Sequence, residues 1–169
     1  MTEARRRIDI VLAPEFLDDL ESRSGDDLDA MHAECQEIET EVSYVRRLAQ
    51  ARIEILTAEQ QRRATGGSVA DLIAALPTIL ADPGPRPEPS ASRLSRFLAP
   101  SPDIQWTRGR EPLIADDTLA NLPTLGDETL AATLEDLRAL EVEVSQRRRD
   151  LHGVIDRLES ELARRRVSA

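Results

Sequence analysis

Residues 28–56 read LDAMHAECQEIETEVSYVRRLAQARIEIL. Their apolar positions are Leu28, Met31, Cys35, Ile38, Val42, Val45, Ala49, Ile53 and Leu56, with steps that alternate three and four almost throughout. That is the a/d seam of a coiled-coil helix. Ser24-Gly25-Asp26 breaks the chain before it, and Asp26 or Asp27 supplies a cap; Gly66-Gly67 ends it. A second arm follows Gly126-Asp127, with Asp127 as its expected N-cap. Its seam is Leu130, Leu134, Leu137, Leu140, Val144, Leu151, Ile155, Leu158 and Leu162. Arg147 falls where that seam expects an apolar residue, and Gly153 weakens the helix. Each arm, at 1.5 Å per residue, spans roughly 60 Å.

The expected fold class is all-α: an antiparallel two-helix coiled-coil hairpin with a long Pro-rich, partly irregular linker and short flanking helices. Residues 1–25 form an N-terminal segment, in which Pro14 opens a short helix through Glu21. Residues 26–66 and 127–168 form the two arms, and 67–126 the linker. Within the linker, 68–80 reads as an amphipathic helix with Val69, Leu72, Ile73 and Leu76 on one side. Residues 82–89 are Pro-rich, 93–98 suit a short helix or docking segment, and 100–110 suit a loop anchored by Trp106.

Composition agrees with a narrow seam. Aromatics make up 2% and charged residues 32%, too few large apolar groups for a thick core. Cys35 is the single cysteine, which excludes an intrachain disulfide and points to the reducing cytoplasm. Residues 1–7 are charged and lead into no apolar stretch long enough for a signal peptide. No run approaches a membrane span. The net charge of -10 argues against direct DNA binding and favours a basic protein partner.

The arms share more than a seam. Glu39, Ser43, Arg46, Gln50 and Glu54 recur as Glu141, Ser145, Arg148, His152 and Asp156, each 102 positions later. Spacings of four, three, four and four keep each set near one face of a helix. Around them, Ala13, Leu17, Leu20, Leu28 and Ala30 recur as Ala115, Leu119, Leu122, Leu130 and Ala132. Val42, Arg47, Ile53 and Leu56 recur as Val144, Arg149, Ile155 and Leu158. The chain is thus two copies of one unit. Symmetry favours antiparallel arms, so that the polar sets meet near Arg46 and Arg148.

The chemistry of the sets suits a guanine nucleotide. An arginine offers a planar fork to phosphate or to guanine O6 and N7. A carboxylate accepts from guanine N1–H and N2–H. Arg46-Arg47 and 147–149, three arginines in a row, supply positive charge for a phosphate ligand in an acidic chain. There is no GxxxxGK[ST] loop and no GxGxxG, which argues against mononucleotide and dinucleotide enzymes. A doubled site fits a ligand with its own two-fold symmetry, and cyclic di-GMP is one.

The spacing E-x3-S-x2-R-x3-Q-x3-D, one copy on each of two helices, resembles the RsiG family of actinobacterial cyclic-di-GMP-dependent anti-sigma factors, which restrain the sporulation sigma factor WhiG. The resemblance implies an antiparallel coiled-coil hairpin. It implies a WhiG-type sigma factor as partner, kept from RNA polymerase, and a partly intercalated cyclic di-GMP dimer as regulatory ligand, with no other cofactor and no metal. By position, the implied ligand contacts are Glu39, Ser43, Arg46, Gln50, Glu54, Glu141, Ser145, Arg148, His152 and Asp156. Glu54 departs from the motif's Asp and His152 from its Gln. The mechanism expected is a population shift in which the dinucleotide holds together two arms whose charges repel.

Each feature also has a plainer reading. Polar residues beside a seam are usually solvated ion pairs. On that view the protein is a ligand-independent coiled-coil adaptor. His32 reads as an exposed helix residue, Cys35 as a small buried hydrophobe, and 164–166, again three arginines, as a complement to the helix dipole. Ser43 and Ser145 lack the companions of a nucleophile, and no enzyme is expected.

Overall fold

The computed structural model describes residues 6–81 and 121–168. Helix α1 spans Arg7–Val11, followed by single 3-10 turns at Pro14–Leu17 and Leu20–Ser22. Helix α2 runs Gly25–Thr65 and α3 runs Val69–Ile79. A 3-10 turn at Leu122–Thr124 precedes α4, Asp127–Ser168. Among the described residues there is no strand, and α2 and α4 pack along their length as the arms of an antiparallel hairpin. Direction is fixed by side chains. His32 near the start of α2 meets Glu159 near the end of α4, and Gln50 meets Glu141. The expected features of residues 82–89, 93–98 and 100–110, with Trp106, and the repeat mates Ala115 and Leu119, lie outside the described residues.

Three local expectations need correction. The cap of α2 is Ser24, not Asp26 or Asp27. Its hydroxyl accepts from the Asp27 N–H, while the Asp27 carboxylate accepts from the Ser24 N–H, a reciprocal capping box. Asp127 is the first residue of α4 rather than its cap. Pro14 opens a single 3-10 turn, and the helix of this region lies earlier, in α1, where Ile8 and Val11 are buried. At the far end of α2, Gly66 takes φ 70°, the left-handed conformation that releases the chain from the helix.

The seam contains the expected residues with an instructive exception. Leu28, Met31, Cys35, Ile38, Val42, Val45, Ala49 and Leu56 are buried, but Ile53 is only half-buried. Strict heptad stepping from Ala49 leads to residues 52, 56 and 59, and both Arg52 and Glu59 are buried. In α4 the corresponding slots hold Val154, which is buried, and Glu161, while Ile155 and Leu162 pack at the margin. Arg147, the charged slot of that seam, is half-buried. It pairs with Glu143 at 3.0 Å and reaches Asp9 of α1 at 3.8 Å.

Helix α4 passes through Gly153 without interruption, and a Cβ built there meets nothing within 4 Å. Gly153→Ala is therefore expected to raise stability by about 0.5–1 kcal/mol. A denaturant midpoint that fails to rise would show that this glycine is needed for something other than helix continuity.

Candidate ligand-binding site

Helix α1 covers one flank of the hairpin. Arg7 pairs with Glu37 at 3.0 Å and Glu34 at 3.4 Å on α2, and Asp9 faces Arg147 on α4. With 3.6 residues per turn, those positions lie on one side of the seam and the two polar sets on the other. The hairpin is thus covered on one flank and presents its duplicated row on the opposite one.

Seven of the ten row residues join into two clusters across the helix pair. In the first, one oxygen of Glu39 accepts from Ser43 Oγ at 2.8 Å and from Arg148 Nε at 3.0 Å, and lies 3.1 Å from His152 Nε2. Arg148 Nε also donates to Ser43 Oγ at 2.9 Å. In the second, Glu141 accepts from Ser145 Oγ at 2.8 Å and from Gln50 Nε2 at 2.9 Å. The clusters are related by the pseudo-two-fold axis: Glu39 with Glu141, Ser43 with Ser145, His152 with Gln50. Burial pushes the Glu39 carboxyl up, but the hydrogen bonds from His152, Ser43 and Arg148 outweigh it and hold the group below the ordinary carboxylate range.

Arg46 breaks the symmetry. Its mate Arg148 is spent on Glu39 and Ser43, whereas the Arg46 Nε is buried and makes no hydrogen bond among the described residues. Glu54 and Asp156, the outer ends of the rows, are exposed and join neither cluster. Glu54 lines an open groove with Ile53, Thr57, Ala58, Gln61 and Ile79, where α3 folds back along α2. The expectation that the arms repel along this row is incorrect. Carboxylates of each arm face donors of the other, so the row draws the helices together.

The tips of the hairpin carry a second duplicated constellation that the motif did not include. At the end of α2, the buried Glu59 binds Arg62 at 2.7 Å and Arg63 at 2.6 Å. Arg63 then donates to the carbonyls of Leu122 and Leu125, at 2.9 and 2.7 Å, in the turn that opens α4. At the end of α4, Glu161 binds Arg164 and Arg165, at 2.8 and 2.7 Å. Arg165 donates to the carbonyls of Leu20 and Arg23, both at 2.7 Å, in the turn that opens α2. Every member is 102 positions from its counterpart. Arg165 is therefore a clamp on the opposite helix rather than a complement to its own helix dipole. The signal was available in the recurrence of Glu-x2-Arg-Arg at 59 and 161.

Cys35 is buried in the seam, and its thiol is pushed up to about 11, chiefly by that burial, which makes it an inert core group. His32 is half-buried and lies 3.1 Å from Glu159. No helix among the described residues is long and apolar enough to cross a membrane.

A family model described as RsiG-like matches residues 14–80 and 116–169, most of the chain and both copies of the unit. The chain belongs to the RsiG-like family. A search of curated proteins finds no match. RsiG-like membership points to an anti-sigma-factor role, with a sigma factor as the general kind of partner and regulation rather than catalysis as the activity. Each matched stretch contains a complete polar row and one Glu-x2-Arg-Arg set, and each tip clamp joins one stretch to the other.

Proposed function

We propose that this RsiG-like protein binds cyclic di-GMP along the duplicated row and, when liganded, holds a WhiG-type sigma factor away from RNA polymerase. One observation carries the reading. Two acidic, serine- and arginine-bearing sets from opposite arms face each other on the flank opposite α1. Glu39 and Glu141 supply acceptors for guanine N–H groups, Arg46 and Arg148 supply forks for phosphate or for guanine O6 and N7, and Ser43 and Ser145 orient the carboxylates. Gln50 and His152 add adaptable contacts, and the exposed Glu54 and Asp156 mark the outer limits of the cradle. The ligand then replaces contacts between the arms by contacts to itself. That shifts the population toward the geometry the sigma factor recognises.

Arg46→Ala and Arg148→Ala are each expected to weaken cyclic di-GMP binding by at least about tenfold, since each removes a charged, bidentate contact. Helix content should stay unchanged. Unaltered calorimetric affinity in both variants would reject the site. The sigma-factor half of the reading is tested by capture of a WhiG-type sigma factor on the immobilised protein, with and without the dinucleotide. Equal capture in both conditions identifies a ligand-independent adaptor instead.

A further inference from the structure

The two clusters of the row are equivalent by symmetry but not in what holds them shut. Glu39 is engaged by a hydroxyl, a guanidinium and an imidazole on one oxygen. Glu141 is engaged by a hydroxyl and a carboxamide, both neutral. The arginine of the first cluster is committed, whereas Arg46, the arginine of the second, has a buried Nε with no hydrogen-bond partner among the described residues. Glu39 thus holds an ion pair with Arg148 in addition to its hydrogen bonds, whereas the carboxylate of Glu141 meets neutral donors alone among the described residues. A carboxylate must shed its present donors before it can accept from a guanine edge, so the two clusters open at different cost.

We infer that the row loads in order: the half built on Glu141, Ser145, Gln50 and Arg46 takes the first guanine-bearing ligand, and the half built on Glu39, Ser43, Arg148 and His152 takes the second. The inference rests on the reading that cyclic di-GMP is the ligand. The element that sets the order is His152, which stands where the first copy has Gln50. His152 faces Glu39 from across the pair, with Arg148 one turn before it and Asp156 one turn after it on its own helix. When the imidazole is charged it holds Glu39 most firmly, so the second step is weakest at low pH. The first step involves no histidine.

The test is a calorimetric titration of the full chain with cyclic di-GMP at about pH 6 and about pH 8, the interval over which histidines change charge. Two steps are expected. The weaker should tighten between the lower and the higher pH by more than the tighter does. His152→Gln should abolish the pH response of the weaker step. Gln50→His, which places the imidazole in the other half, should confer one on the tighter step and keeps the test decisive if the first variant folds poorly. A one-step isotherm, or a pH response that survives His152→Gln, overturns the order while leaving the ligand in place. Absence of binding in all three proteins at both pH values removes the ligand, and the order with it.

Discussion

Arg63→Ala and Arg165→Ala should each lower the melting temperature by on the order of 5 °C, and the double variant by about twice that. Arg63 donates to two carbonyls and Arg165 to three in the turn that opens the opposite helix, and each pairs with a glutamate of its own helix. Removing one side chain takes the side-chain donor from those carbonyls and leaves Glu59 or Glu161 short of a partner. The second effect weighs more at Glu59, which is only 2% exposed. The clamps lie at opposite tips of the rod, too far apart to share partners, so the losses should add. Thermal melts followed by helicity provide the measurement, and single variants that melt with the parent would show the clamps to be ornamental.

The same clamps carry a pH signature. Arg62 first and then Arg63 hold the Glu59 carboxyl down at about 2, against an ordinary 4.5. Arg164 first and then Arg165 do the same for Glu161, again to about 2. Depressed carboxyl pKa values mean that the unfolded chain takes up protons before the folded one. The stabilisation is complete above about 4.5 and is lost as pH falls toward about 2. Acid unfolding should therefore steepen across that window, and the parent should lose more of its stability there than a Glu59→Gln, Glu161→Gln double variant.

Leu56→Ala and Leu158→Ala should each cost about 3 kcal/mol. These leucines are symmetry mates, and both are fully buried. Leu56 packs with Leu122, Leu130, Leu134 and Leu137, while Leu158 belongs to the longer cluster that includes Leu28, Cys35 and the α1 residues Ile8 and Val11. A two-helix seam has few neighbours able to move into a void, which keeps the cost near the middle of the usual range rather than its floor. Chemical denaturation gives both numbers. If one truncation is tolerated with a loss below about 1 kcal/mol, the two halves do not share one core architecture, and the symmetry would be confined to the polar row.

The hairpin was legible because a leucine-rich seam and a strict repeat independently demand it. Apolar periodicity identifies the arms, and the constant offset favours antiparallel helices, whose two-fold axis crosses the rod and brings the two rows together from opposite directions. What escaped was charged. A search for apolar residues steps over Arg52 and Glu59 although both occupy heptad slots, and selects the half-buried Ile53 instead. The Ser24 cap was hidden because Ser24, Asp26 and Asp27 are all competent by residue type, and side-chain geometry alone separates them. The row residues could be named from their spacing, but their pairing could not. Whether Glu39 meets solvent, its own helix or Arg148 depends on how far apart the seam holds the two backbones. Charge by itself suggested repulsion between the arms, whereas the interleaving of acid and base across the axis produces attraction.

The rod is fastened at both tips. Near the axis the seam is lined by Val42, Val45, Ala49 and Val144 with Leu151 as its one leucine among the described residues, whereas leucines are denser toward the start of α4. Contacts that tie each arm to the turn before the other thus sit at the ends, far from the row at mid-length.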